Sequence, residues 1–248
     1  MKKLVVFDLD GTLAQSKQPL QDTVGEALAS LLDVVHVAVI SGGDWPQFKK
    51  QVVSRLPPRT DRARLWLMPT TGTKLYRYNG EWRPIYAELF DDGQKRAIFA
   101  AFDAVLEATD FMPDKIWGEQ IEDRGSQITF SALGQQAPLD AKEQWDSDFA
   151  KRKIIQAELR QRLPGLSINI GGATSIDITH EGVDKAYGLK KLSGASGIAL
   201  DAMMFVGDAI FPGGNDYPAK ELGLDTICVR DPEETLSVIA TIIACQKT

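Results

Sequence analysis

Four stretches of this chain are short and apolar, the second of them rich in β-branched residues, and each is followed by a segment with helical character. They are the strand at residues 3–8, Val34 to Ile40, Ala202 to Val206, and Thr226 to Val229. The segments that follow are Asp22 to Leu32, "DWPQFKKQVVSRL", Tyr217 to Leu222, and Pro232 to Ala244. A strand that shows no alternation of apolar and polar residues is buried on both faces. Strands of that kind, alternating with helices, form a parallel sheet covered by helices on both sides. Both ends of the chain therefore belong to one α/β layer structure.

The middle of the chain follows a different pattern. "KLYRYNGEWRPIY" places Asn79-Gly80 between aromatic-rich flanks, which signals a hairpin. "SQITFSAL" and "SINIGGATSIDITH" alternate with period two, as in a half-exposed antiparallel sheet. Between them Ala141 to Leu163 reads as a charged helix. The expected organisation is a Rossmann-like parallel-sheet core over 1–83 and 183–248, with an inserted α+β domain over 84–182.

Composition excludes several classes. The 248 residues are 44% hydrophobic and 25% charged, ordinary for a globular chain. The net charge of −6 does not favour a nucleic-acid or anionic-membrane partner. Leu236 to Ala244 is too short to span a bilayer, and Asp8 ends the first apolar run too early for a signal sequence. Cys228 and Cys245 lack metal-ligand spacing and read as reduced thiols, which places the expected location in the cytoplasm. His36 lies within a strand pattern and reads as a satisfied core residue, whereas His180 follows a strand and reads as exposed. The tryptophans read as packing residues.

In parallel α/β sheets function collects beyond the carboxyl ends of the strands. Asp8 and Asp10 fall there, in "LVVFDLDGTL", as do Ser41 and Asp208, the latter opening "DAIFPGGND". Lys185 sits where the insertion returns to the core. Like charges at one rim need a cation between them or exposure to water. A hard divalent ion such as Mg²⁺ takes oxygen ligands of this kind. A carboxylate nucleophile, a second carboxylate two residues on for proton transfer, a hydroxyl and an ammonium make a phosphoryl-transfer set. Gly42, Gly43 and Asp44 read as a strand-to-helix connection, with Asp44 as the cap and the amide of Gly42 as a candidate ligand contact. Asn215 and Asp216 read as supporting residues, Asn215 as a candidate substrate contact, and the sequence leaves open whether the pair contacts a metal or only supports the loop. No G-x-x-x-x-G-K-[ST] or G-x-G-x-x-G occurs, so nucleotide-loop folds are excluded.

"DLDGTL", Ser41 after an apolar strand, Lys185 and "GDAIFPGGND", in that order, resemble the haloacid dehalogenase (HAD) superfamily of phosphotransferases, in its subclass with an α/β cap. The resemblance implies that Asp8 is the nucleophile and Asp10 the general acid and base. It also implies that Mg²⁺ is held by Asp8, the backbone carbonyl of Asp10, and Asp208. "FVGDAIFPGGNDYPA" and "INIGGATSIDITHEGVDKAYGL" are similar to the eukaryotic-type phosphomannomutase branch. That similarity implies that Ser175 and Asp177 touch a sugar and that Arg124 holds a distal phosphate. The chain departs from the branch at Ser131, where an arginine is expected, and in "ALGQQAP", which lacks a second one. Loss of two guanidiniums weakens bidentate phosphate recognition. The reading placed first is therefore a Mg²⁺-dependent phosphatase of a small hexose phosphate, acting through an aspartyl-phosphate. The alternatives are a phosphomannomutase or related phosphohexomutase, and a non-catalytic sugar-phosphate-binding module. A homodimer is compatible with the sequence.

Overall fold

The computed structural model describes residues 2–109, 111–171 and 174–246, except for the side chain of Leu139. The chain divides into two compact units, one made of Met1–Ala87 with Asp184–Thr248, the other of Glu88–Val183. The first unit begins with β1 (Leu4–Asp8), α1 (Asp22–Leu32), β2 (His36–Ile40), α2 (Trp45–Gln51), β3 (Leu65–Met68), β4 (Lys74–Asn79) and β5 (Glu81–Ala87). The second holds α3 (Asp92–Thr109), β6 (Ile121–Asp123), β7 (Gln127–Ser131), α4 (Leu139–Trp145), α5 (Ala150–Arg162), β8 (Leu166–Ile170) and β9 (Ser175–His180). The chain returns to the first unit with α6 (Lys185–Ser196), β10 (Met203–Gly207), α7 (Tyr217–Glu221), β11 (Asp225–Cys228) and α8 (Pro232–Gln246).

The larger sheet has the order β11-β10-β1-β2-β3-β4-β5. It is parallel from β11 to β3 and antiparallel at β4 and β5. Alternate residues of the central strands enter different layers, which is why these strands show no polar face. Val5, Phe7, Val37 and Val39 pack with Leu28 of α1, Phe48 of α2 and Ile239 of α8. Leu4, Val6, Ala38 and Ile40 pack with Leu189 and Leu192 of α6 and Ala219 of α7. The β4–β5 hairpin turns at Gly80, whose φ is +79°. Pro84 is tolerated because β5 is the edge strand, where a missing N–H breaks no ladder. Trp45 stacks on Tyr76 at 4.0 Å, with Trp82 beside it.

The second unit is an antiparallel sheet of order β6-β7-β9-β8. Ile128, Phe130, Ile168, Ile176 and Ile178 turn one face toward α3 and α5. The single helix expected over Ala141 to Leu163 is instead two, α4 and α5, broken at Asp146. The carboxylate of Asp146 accepts the N–H groups of Lys151 and Arg152 at 2.9 and 3.1 Å, so it closes the start of α5 rather than continuing α4. It also accepts from the Arg152 Nε at 2.7 Å, in an ion pair buried on both sides. Phe149, at φ +64°, makes the turn between the two helices.

The histidines depart from expectation. His36 opens β2 half-buried, and its Nδ1 has no hydrogen-bond partner. Burial, and then the neighbouring Arg64 charge, lower its pKa. His180 is half-buried, its ring 4.4 Å from that of Phe90.

Candidate active site

Asp8 closes β1 and is buried, as the all-apolar strand before it requires. The Lys185 Nζ donates to Asp8 Oδ1 at 2.6 Å and also to Asp216 Oδ1, and both side chains around it are buried. Lys185 is the first residue of α6, whose N-cap is Asp184; the Asp184 carboxylate accepts the Tyr187 N–H at 2.7 Å. Asp208 follows β10, and Thr12 Oγ1 donates to its Oδ1 at 3.3 Å. Among the described residues, Asp8, Asp208 and Asp216 each place a carboxylate oxygen within 4.8 Å of the others.

Three carboxylates and one ammonium leave this cluster short of positive charge. Burial lifts Asp8 above the usual carboxylate range against the pull of Lys185, and Asp216 adds to the rise. Burial also lifts Asp208, with Asp216 again contributing. Burial alone would lower Lys185, but the Asp8 and Asp216 charges outweigh it and raise its pKa. An all-oxygen donor set with excess negative charge fits a hard divalent cation. The chain backbone is shaped to this cluster. Gly11 has φ +90°, and a Cβ there would lie 2.5 Å from Asp208 Oδ2. The D-x-D-G order thus requires glycine for two independent reasons.

Asp10 leaves the cluster. Its side chain accepts the Lys17 N–H at 2.6 Å, the Gln51 Nε2 at 3.2 Å and the Gln47 Nε2 at 3.3 Å, with Ser41 Oγ at 3.5 Å. Gln47 and Gln51 lie four apart, on one face of α2. Sequence reasoning did not single them out, although the i,i+4 spacing of two amides beside "SGGD" was there to be read. Asp216, for which the sequence leaves open metal contact or loop support, stands inside the carboxylate cluster, and its Oδ2 accepts the Ala209 N–H at 3.0 Å. Asn215 beside it is exposed.

Ser41 follows β2, and its Oγ accepts the Gly43 N–H at 3.2 Å, with Gly42 half-buried between them. Asp44 does not cap α2 with its side chain. It pairs instead with Lys74 Nζ at 2.6 Å. Pro46 at the second helical position removes one of the N–H groups a cap would serve, so the lysine is the stronger partner.

In the second unit, register sets Thr129 opposite Asp177 and Ser131 opposite Ser175. Thr129 Oγ1 donates to Asp177 Oδ1 at 2.7 Å, and the Ser131 and Ser175 hydroxyls are 3.0 Å apart. These residues share the face of the sheet opposite its apolar core. Arg124 donates to Glu122 Oε2 at 2.7 Å.

A seven-stranded α/β sheet with an acidic cluster beyond its strand ends, interrupted by a separate antiparallel domain, defines an enzyme of the HAD superfamily with a cap. Solved structures share this fold. An IMP-nucleotidase from Plasmodium falciparum aligns with a TM-score of 0.70 at 16% identity, covering 97% of this chain and 70% of that one. A haloacid dehalogenase-like hydrolase from Bacteroides thetaiotaomicron aligns with a TM-score of 0.67 at 16% identity, covering 98% of this chain and all of that one. Within the superfamily the chain belongs to the eukaryotic phosphomannomutase family, whose model matches residues 24–245. A phosphomannomutase of Encephalitozoon cuniculi is 29% identical over 94% of this chain and 91% of its own. One of Schizosaccharomyces pombe is 27% identical over 97% and 94%. No helix among the described residues is long and apolar enough to cross a membrane.

Proposed function

We propose that this protein is a Mg²⁺-dependent phosphohexomutase that interconverts hexose 1- and 6-phosphates. The observation that carries this reading is the family match across most of the chain, which includes the segment holding Lys185, Asp208 and Asp216. It favours the mutase over the phosphatase that the sequence reading placed first. In this proposal Asp8 carries the transferable phosphoryl group. A free sugar hydroxyl attacks that phosphorus, Asp10 takes the hydroxyl proton, and the bond to Asp8 breaks to give the hexose 1,6-bisphosphate. Asp8 then attacks the other phosphorus, Asp10 returns the proton to the departing sugar oxygen, and the isomeric monophosphate is released.

Asp8, Asp208 and the backbone carbonyl of Asp10 would hold the magnesium, with Asp216 beside them. When bound, the ion supplies positive charge against the phosphoryl oxygens. Lys185 and Ser41 contribute an ammonium and a hydroxyl to the same oxygens, with the Gly42 amide and Asn215 completing the phosphate contacts. The 84–182 segment acts as the substrate-specificity domain, in which Arg124, Ser175 and Asp177 bind the sugar phosphate.

A second reading, hydrolysis, is favoured by one observation. Ser131 replaces the arginine that the phosphomannomutase resemblance leads one to expect, and its hydroxyl lies 3.0 Å from that of Ser175; a guanidinium there would grip a second phosphate more strongly. The test is hexose 1-phosphate with Mg²⁺, with and without trace hexose 1,6-bisphosphate. Isomer formation stimulated by the bisphosphate supports the mutase. Catalytic release of inorganic phosphate without isomer refutes it in favour of the phosphatase. If Asp8→Asn matches the wild type in both assays, the whole mechanism fails.

A further inference from the structure

Thr70, Thr71 and Gly72 follow one another with φ of 50°, 58° and 83°. Two β-branched residues in succession in the left-handed region form a backbone outlier that persists only where its surroundings impose it. The surroundings here are specific. The Thr71 N–H donates to the Ser41 carbonyl at 2.9 Å, and the Thr70 N–H donates to the Gly43 carbonyl at 2.9 Å. The turn is braced from below by Thr73, whose Oγ1 donates to the Thr70 carbonyl at 2.7 Å, and by Tyr86, whose hydroxyl donates to the Gly72 carbonyl at 2.8 Å.

The other side of the turn meets α6 backbone to backbone. A Cβ at Gly72 would lie 2.7 Å from the Gly188 Cα. A Cβ at Gly188 would lie 2.6 Å from Ile40 Cδ1 and 3.1 Å from the Thr71 carbonyl oxygen. Gly188 is one turn along α6 from Lys185, and its own N–H closes that turn on the Asp184 carbonyl at 3.2 Å. The glycine contact therefore sets how closely the Lys185 end of the helix approaches the turn and the end of β2.

We propose that the Thr70–Gly72 turn and Gly188 are positioning residues, which hold the Ser41–Gly43 loop and the first turn of α6 as one rigid piece, so that the Ser41 hydroxyl and the Lys185 ammonium keep a fixed separation. What the positioned groups do chemically rests on the function proposed above. The geometry itself does not. None of these residues touches the reacting atoms; they act through Ser41 and Lys185.

The experiment compares the wild type, Gly188→Ala, Ile40→Val and the double variant in the full chain. Two quantities are read: kcat and KM for hexose 1-phosphate isomerisation, and the extent of acetylation of each lysine by acetic anhydride. Gly188→Ala pushes α6 off the turn, so kcat falls about tenfold to a hundredfold with KM little changed, and Lys185 becomes reactive. Lys74, buried and paired with Asp44 at 2.6 Å, stays protected and serves as the control for general loosening. Ile40→Val deletes the Cδ1 that the new methyl meets. Alone it behaves as the wild type, and in the double variant it restores kcat and protection of Lys185 only in part, because the new methyl still meets the Thr71 carbonyl at 3.1 Å. Wild-type kcat and protection in Gly188→Ala overturn the proposal. So does a defect that Ile40→Val relieves in full, which would put the clash at Ile40 and not at the turn, or one in which Lys74 opens as far as Lys185. A wild-type protein without turnover removes the proposed function, and the acetylation pattern then still decides the positioning.

Discussion

Gly11→Ala puts the link between the D-x-D-G motif and the carboxylate cluster to a quantitative test. The substitution has two separable costs. At φ +90° an L-residue is strained, by about 1–2 kcal/mol. The new Cβ would also sit 2.5 Å from Asp208 Oδ2 and 2.8 Å from its Cγ. Reaching ordinary contact near 3.5 Å moves the carboxylate by roughly 1 Å. That shift breaks the 3.3 Å hydrogen bond from Thr12, worth about 1 kcal/mol. The expected loss without metal is therefore about 2–3 kcal/mol, read as a lower urea midpoint at unchanged slope. With Asp208 displaced, Mg²⁺ binding weakens by about 10–100-fold, the size seen when groups supporting a metal ligand are altered. At a concentration 100 times the wild-type Kd, Mg²⁺ stabilises the wild type by about 2.7 kcal/mol, and a hundredfold weaker variant by only about 0.4 kcal/mol. Urea unfolding with Mg²⁺ and with EDTA gives both numbers. A variant within 0.5 kcal/mol of the wild type in EDTA, an order-of-magnitude threshold for a neutral change, refutes the strain argument. An unchanged Mg²⁺ increment refutes the assignment of Asp208 to the metal.

Other outcomes follow from the same geometry. Asp8→Asn lowers turnover by at least about a thousandfold while leaving the fold intact, read by steady-state kinetics beside circular dichroism. EDTA abolishes turnover, and added Mg²⁺ restores it in proportion to the restored unfolding midpoint. Asp146→Ala strands the buried Arg152 guanidinium and costs about 3–5 kcal/mol in chemical unfolding; the Asp146→Ala/Arg152→Met double variant costs less. Asp146 also sets an acid limit. Burial raises its pKa, but the hydrogen bonds from Arg152 and from the Lys151 and Arg152 amides outweigh burial and hold the pKa below the usual carboxylate range. Its contribution is therefore complete above the unfolded carboxylate pKa and is lost as pH falls through the depressed folded value. The stability difference between wild type and Asp146→Asn is flat from neutral pH to about 4 and shrinks below it.

What was legible in the sequence was whatever local chemistry decides. Unbroken apolar runs announce strands buried on two faces, and the first carboxylate or hydroxyl after such a run must lie at the strand end. Asp8, Ser41 and Asp208 could be placed for that reason; Lys185 was legible as the residue where the insertion returns to the core, and only the structure shows it as the first residue of a helix capped by Asp184. The break between α4 and α5 was not legible, because Asp146 reads as one more charged residue of a helix until Arg152 is seen to fold back on it. Nor was the role of Asp44, which is a sound cap by type and goes instead to a lysine thirty residues on.

The side-chain partners at the site belong to the tertiary structure. Lys185 meets Asp8 across 177 residues, Thr12 meets Asp208 across 196, and Gln51 meets Asp10 across 41. Nothing in the local sequence states that Asp216 rather than the side chain of Asp10 joins Asp8 and Asp208, or that two threonines take a left-handed turn to tie Ser41 to α6. Strand ends follow from hydrophobic burial, which each segment encodes alone. The direction of a carboxylate follows from competition among donors that only the folded chain brings within reach, and that competition has no local signature.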